Sequence, residues 1–125
     1  MLNRADATIL GAVAAGGSAG SVARYGLGLL WPETAGAFPW TTFAINVTGC
    51  LAIGLLVAVL GNEPGWLRAL LGTGFLGGYT TFSTYAEQTR QLLASGRPVI
   101  AGLYVFGTLA AALVAVSLGL RARRR

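Results

Sequence analysis

The stretch GGYTTFSTY at positions 77–85 puts two glycines, four aliphatic hydroxyls and three aromatic rings inside an apolar segment. Gly77 and Gly78, followed by Thr80 and Thr81, predict a break in a helix, because glycine and threonine are weak helix formers. A break frees carbonyl oxygens, and the C-terminal end of a half-helix carries partial negative charge suited to a cation. Beyond the break, Phe82 and Tyr85 stand three apart on one helical face. Two electropositive ring edges aimed at one point stabilise a small anion. The same residues also describe a kinked packing helix with an aromatic ridge, and both readings stand at this level.

Other polar residues fall at comparable depth. Thr42, Asn46 and Gly49 recur at intervals of four and three in TTFAINVTGCLAIG, lining one helix face. The Asn46 amide either bridges two helices, a contact worth about 1 kcal/mol, or points its NH2 group into an ion-accessible path. Tyr104 and Thr108 lie one turn apart further on. A tyrosine near the start of a span is usually an interfacial residue, and a mid-helix threonine usually bonds back to its own backbone. Arg24, in GSAGSVARYG, reads either as an interfacial anchor or as an anion-attracting charge at a vestibule.

The elements that must hold these residues can be read from composition. The chain of 125 residues is 54% hydrophobic and 10% charged, far below the charged share of about 25% in soluble domains. Four apolar segments, near 7–30, 39–61, 66–93 and 98–120, each reach the roughly 20 residues needed to cross a bilayer. The prediction is an all-α membrane protein: one domain over 1–125, four transmembrane helices, and the third broken near its middle. Pro32, Pro39, Pro64 and Pro98 lie between or at the edges of the segments, where a missing N–H is tolerated. A cleaved leader is disfavoured, because the apolar stretch resumes past Arg24 as YGLGLLW. Gly16 and Gly20 form a GxxxG pair, and Gly102, Gly107 and Ala111 continue the small-residue theme that lets helices pack closely in lipid. Cys50 has no cysteine partner and reads as a small buried residue.

The net charge of +5 is carried by arginine, with four of nine in the run Arg121, Arg123, Arg124 and Arg125. Next to an apolar helix such a tail marks the cytoplasmic side rather than a nucleic-acid site. With Arg4 and Arg68 it places both termini in the cytoplasm, against Arg90 and Arg97 on the other side, where acidic Glu33 and Glu87 lie. Histidine is absent, Asp6, Glu33 and Glu63 are terminal or in loops, and Glu87 is near a segment end. Proton-coupled carriers need an ionisable relay within the bilayer, so passive permeation fits better. No P-loop, metal-ligand cluster or nucleophile–base pair is present, which argues against an enzyme.

Together GGSAGSVARY, TTFAINVTGCLAIG and GFLGGYTTFSTY resemble the Fluc/CrcB family of small fluoride channels over nearly the whole chain. The third motif is the most specific of these. The resemblance implies dual-topology antiparallel homodimers in the inner membrane, with two pores that let fluoride leave the cell passively. It implies that Gly77 and Thr80 offer backbone carbonyls to a structural sodium ion that is not transported, with both chains contributing. It makes Phe82 and Tyr85 the pore aromatics and Asn46 a donor to the anion. Tyr104 and Thr108 would form a polar track, Thr42, Ser83 and Thr84 would join the path, and Arg24 would stand at a vestibule. Neutral donors replace the water lost by fluoride without holding it too tightly to conduct.

Two positions depart from the family pattern: Tyr85 stands where phenylalanine is usual, and Thr41 where glycine is usual. Two alternatives stand beside the channel reading. A small multidrug-type proton-coupled antiporter would need a glutamate in the first span, which is absent. A non-conducting subunit would pair with an oppositely inserted homologue.

Overall fold

The computed structural model describes residues 1–61 and 63–124; Arg125 of the basic tail lies outside the described residues. Helix α1 runs over Arg4–Leu30, α2 over Trp40–Val59, α3 over 65–79, α4 over Phe82–Ala94 and α5 over Pro98–Leu120. A short 3-10 turn, Arg121–Arg124, comes after α5. Among the described residues the chain is helical without strands. Helices α3 and α4 are the two halves of the expected broken segment, so the four apolar segments become five helices. Two of them, α2 and α5, are long and apolar enough to cross a membrane unbroken.

The helix ends reflect local chemistry. Asn3 caps α1, accepting from the Asp6 N–H at 2.8 Å while the Asp6 carboxylate accepts from the Asn3 N–H, a reciprocal capping box. Pro32 then ends that helix beyond Trp31. Pro98 opens α5 at a position where its missing N–H has no intrahelical use. Between α4 and α5, Gly96 takes φ 78°, and the Arg97 N–H reaches back to the Leu92 carbonyl at 2.9 Å. That is a Schellman closure, which needs a left-handed residue.

Helix α3 is irregular. Gly65–Arg68 is α-helical, Ala69–Leu76 is a π-helix and Gly77–Tyr79 returns to α geometry. The wider turn is visible where the Gly77 N–H bonds the Gly72 carbonyl, five residues back. Such stretches are rare and favour functional sites.

Packing pairs α1 with α3 and α2 with α5. Both seams are backbone against backbone. A Cβ on Gly16 would meet the Leu70 carbonyl, and one on Gly54 the Val116 carbonyl. In lipid such close approach supplies dispersion and weak polar contacts where the hydrophobic effect is missing. Helix α4 lies on α5 through a small cluster in which Leu92, Ala101 and Tyr104 are buried against Phe38, Phe43 and Tyr85. The outward face of α5 is apolar, with Leu103, Phe106 and Leu113 more than half exposed. An exposed belt of this kind suits lipid or another protein chain.

Candidate ion site at the helix break

The break falls at the threonines rather than at the glycines. Thr80 (φ −80°, ψ 156°) and Thr81 (φ −145°, ψ 121°) are extended, whereas Gly77 keeps helical angles. The glycine pair serves packing instead: a Cβ on Gly78 would strike the Gly17 backbone of α1.

Asn46 holds the break open. Its Oδ1 accepts from the Thr81 N–H at 2.9 Å and its Nδ2 donates to the Thr81 carbonyl at 3.0 Å. The side-chain amide thus pairs with one residue of backbone as a neighbouring strand would. In an unbroken helix the Thr81 N–H would bond the Gly77 carbonyl, four residues back. Its diversion to Asn46 deprives Gly77 of that donor.

The second half-helix shows the same logic. The Thr84 N–H, which would bond the Thr80 carbonyl in a continuous helix, goes to the Thr81 hydroxyl at 3.2 Å as an N-cap. Gly77 and Thr80 therefore both lose their regular helical donors. Gly49, facing the break from α2, allows this approach, since a Cβ there would meet the Thr80 methyl and the Tyr79 ring.

A groove of about 300 Å³ runs beside the break, lined by Asn46, Cys50, Thr80, Thr81, Phe82, Tyr85 and Thr108 among others. Phe82 is 79% exposed, with its ring centroid 5.9 Å from that of Tyr85. The Tyr85 hydroxyl donates to the Val105 carbonyl at 2.8 Å. The added oxygen of this tyrosine is thereby tied to α5, and its ring still lines the groove.

Thr108 departs from expectation. Thr8, Thr48 and Thr89 each donate to the carbonyl four residues back, the ordinary fate of a helical threonine. The Thr108 hydroxyl is buried and has no partner among the described residues. Asn46 contributes a second free donor, since a primary amide carries two N–H bonds and one is spent on Thr81.

The remaining predicted residues lie elsewhere. Tyr104 is fully buried, and its hydroxyl donates to Gln88 Oε1 at 2.7 Å. Gln88 Nε2 donates to Glu33 Oε2 at 2.7 Å, while the Thr42 hydroxyl donates to Glu33 Oε1 at 2.6 Å. The Thr42 N–H also donates to Glu33 Oε1 at 3.2 Å, so this loop carboxylate caps α2, whose N-cap Pro39 supplies no side-chain bond. Ser83 and Thr84 line a separate shallow depression on α4 with Glu87 and Gln88. Arg24 sits half-buried on α1, away from the lining of the groove.

Sequence reasoning missed Glu33 and Gln88. A faint signal existed: an acid stands nine residues ahead of Thr42, before a helix start with no capping side chain of its own. Gln88 also comes three residues after Tyr85, on the same face.

Residues 11–120 match the family described as CrcB-like protein, Camphor Resistance (CrcB). The chain belongs to the CrcB family. Among curated relatives, a protein of Streptomyces coelicolor named "Fluoride-specific ion channel FluC 1" is 46% identical over 125 residues, covering 98% of this chain and 81% of that protein. "Fluoride-specific ion channel FluC 2" of Nocardia farcinica is 45% identical, covering 95% of this chain and 87% of the relative. "Fluoride-specific ion channel FluC" of Paracoccus denitrificans is 44% identical, with 90% and 91% covered. The CrcB match spans every residue of the groove.

Proposed function

We propose that this CrcB chain is a fluoride-selective channel that lets fluoride leave the cell down its gradient. Relatives at 44–46% identity are named fluoride-specific ion channels. The observation that carries the reading is the buried, unpartnered Thr108 hydroxyl in the groove beside Phe82 and Asn46. A small anion needs neutral donors where water is stripped away. Thr108 and the second Asn46 N–H are two such donors, and the Phe82 ring edge is a third electropositive group.

The groove is open on the outside of a single chain, so a second copy in antiparallel orientation would close it. In that assembly the Gly77 and Thr80 carbonyls, relieved of their regular helical donors, offer hard oxygen ligands from each protomer. Two per chain make an incomplete cage alone and four oxygens together, a donor set that suits a structural sodium ion. All four apolar segments would then span the inner membrane, with α3 and α4 as one interrupted span. Interrupted backbone at that depth is tolerated where protein buries it. An embedded proton relay of the antiporter type finds no support in α1, where the single acid, Asp6, is bonded into the helix cap.

Liposomes containing the purified chain should release fluoride and retain chloride, read with ion-selective electrodes. Equal release of both anions overturns selectivity. Release of neither from the pure chain, with fluoride release restored by an oppositely inserted homologue, assigns it instead as a partner subunit.

A further inference from the structure

We infer that Glu33, a loop residue outside the groove, is a positioning residue that sets which way the hydroxyl protons of Tyr104 and Thr42 point. The inference rests on the channel reading only for its consequence in flux; the hydrogen-bond geometry stands by itself.

An ionised carboxylate can only accept hydrogen bonds. Glu33 takes the Thr42 N–H and O–H on Oε1, and the Gln88 amide on Oε2. Gln88 must therefore turn its NH2 toward Glu33, which leaves its Oε1 facing Tyr104. The Tyr104 hydroxyl, 2.7 Å away and buried, must donate to that oxygen. One loop carboxylate thus fixes the proton direction of two hydroxyls on two helices through a single intervening amide. Both protons are withheld from any anion passing these helices, which leaves the donors of the groove, Thr108 and Asn46, to do the binding.

Glu33→Gln reverses the relay. The Thr42 backbone N–H cannot turn round, so the carbonyl oxygen of the new side-chain amide stays on Thr42 and its NH2 faces Gln88. Gln88 then presents its oxygen to that NH2 and its own NH2 to Tyr104. Tyr104 changes from donor to acceptor toward Gln88, and its proton leaves the Gln88 oxygen. Gln88→Met gives a second route to the same end, since it removes the Tyr104 acceptor and leaves the Glu33–Thr42 cap intact.

The test combines two readouts on the full-length protein in liposomes. Isotope-edited infrared spectroscopy of ring-labelled tyrosine follows the C–O stretch, with Tyr104→Phe identifying the Tyr104 band. The band should move from the donor to the acceptor position in Glu33→Gln, and away from its parent position in Gln88→Met, where the Gln88 oxygen is gone. Fluoride flux should change by about fivefold in both, the weight of one hydrogen bond, and Glu33→Gln should add nothing in a Tyr104→Phe background. A Tyr104 band that stays in place in both variants overturns the proposal. A band that moves in a parent protein that passes no fluoride supports the positioning role and rejects the channel reading instead.

Discussion

Replacing Asn46 by alanine removes both hydrogen bonds that hold the Thr81 backbone extended, at 2.9 and 3.0 Å. Two outcomes are open to the freed groups. If Thr81 stays extended, its N–H and carbonyl lie unpaired at a buried residue, at about 1–3 kcal/mol each and about 2–6 kcal/mol together. If the chain relaxes, the Thr81 N–H returns to the Gly77 carbonyl and the helix closes over the break. The first outcome lowers the melting temperature; the second preserves it but withdraws Gly77 from the set of free carbonyls. Either way the groove loses an amide donor, and fluoride efflux should fall at least about tenfold, equivalent to about 1.4 kcal/mol. Electrode-recorded efflux and thermal melting in detergent, run on the same preparation, separate the two. Asn46→Asp should fail as well, because its second oxygen would oppose the Thr81 carbonyl. An alanine variant that melts with the parent and conducts like it would refute the reasoning.

Two further substitutions probe the groove. Thr108→Val keeps the shape and removes a hydroxyl that has no partner among the described residues, so stability should hold or rise while fluoride efflux falls; unchanged efflux would remove Thr108 from the path. Tyr85→Phe gives up the bond to the Val105 carbonyl, about 1 kcal/mol of stability, and keeps the ring edge. Its melting temperature should drop with efflux retained, and a loss of efflux would show that the hydroxyl acts on the ion.

The helices were legible because apolar length and proline position leave few choices. The predicted limits 7–30 and 98–120 compare with Arg4–Leu30 and Pro98–Leu120. The early start of α1 comes from the Asn3–Asp6 cap, a polar signal that an apolar window ignores. The break was expected from GGYTTFSTY, but its cause was not visible there. Glycine propensity pointed to Gly77 and Gly78, whereas the opening is made by Asn46, thirty-five residues away. Long-range side-chain pairing of this kind leaves no periodic trace. The same holds for Glu33 and Gln88, whose roles exist only once a loop folds over the start of α2. Resemblance places Tyr104 and Thr42 on the anion path; in the structure their hydroxyls donate to Gln88 and Glu33.

The π-helical stretch Ala69–Leu76 forms most of the seam with α1 and leads into the break. A π-turn takes up a residue more than an α-turn, so this segment works as a phase adjuster for the residues on its C-terminal side. Each residue of an α-helix advances about 100° around the axis. Because the wide turn absorbs a residue, losing one here would let α geometry resume with Thr80 and Thr81 near their present phase, whereas adding one would swing them by about that angle, away from Asn46. Chain length between Leu70 and Tyr79 is thus constrained in one direction, against insertion more than against loss. Among family members this interval should shorten by one residue more readily than it lengthens, while Gly74 and Gly78, whose added Cβ would meet backbone, stay glycine.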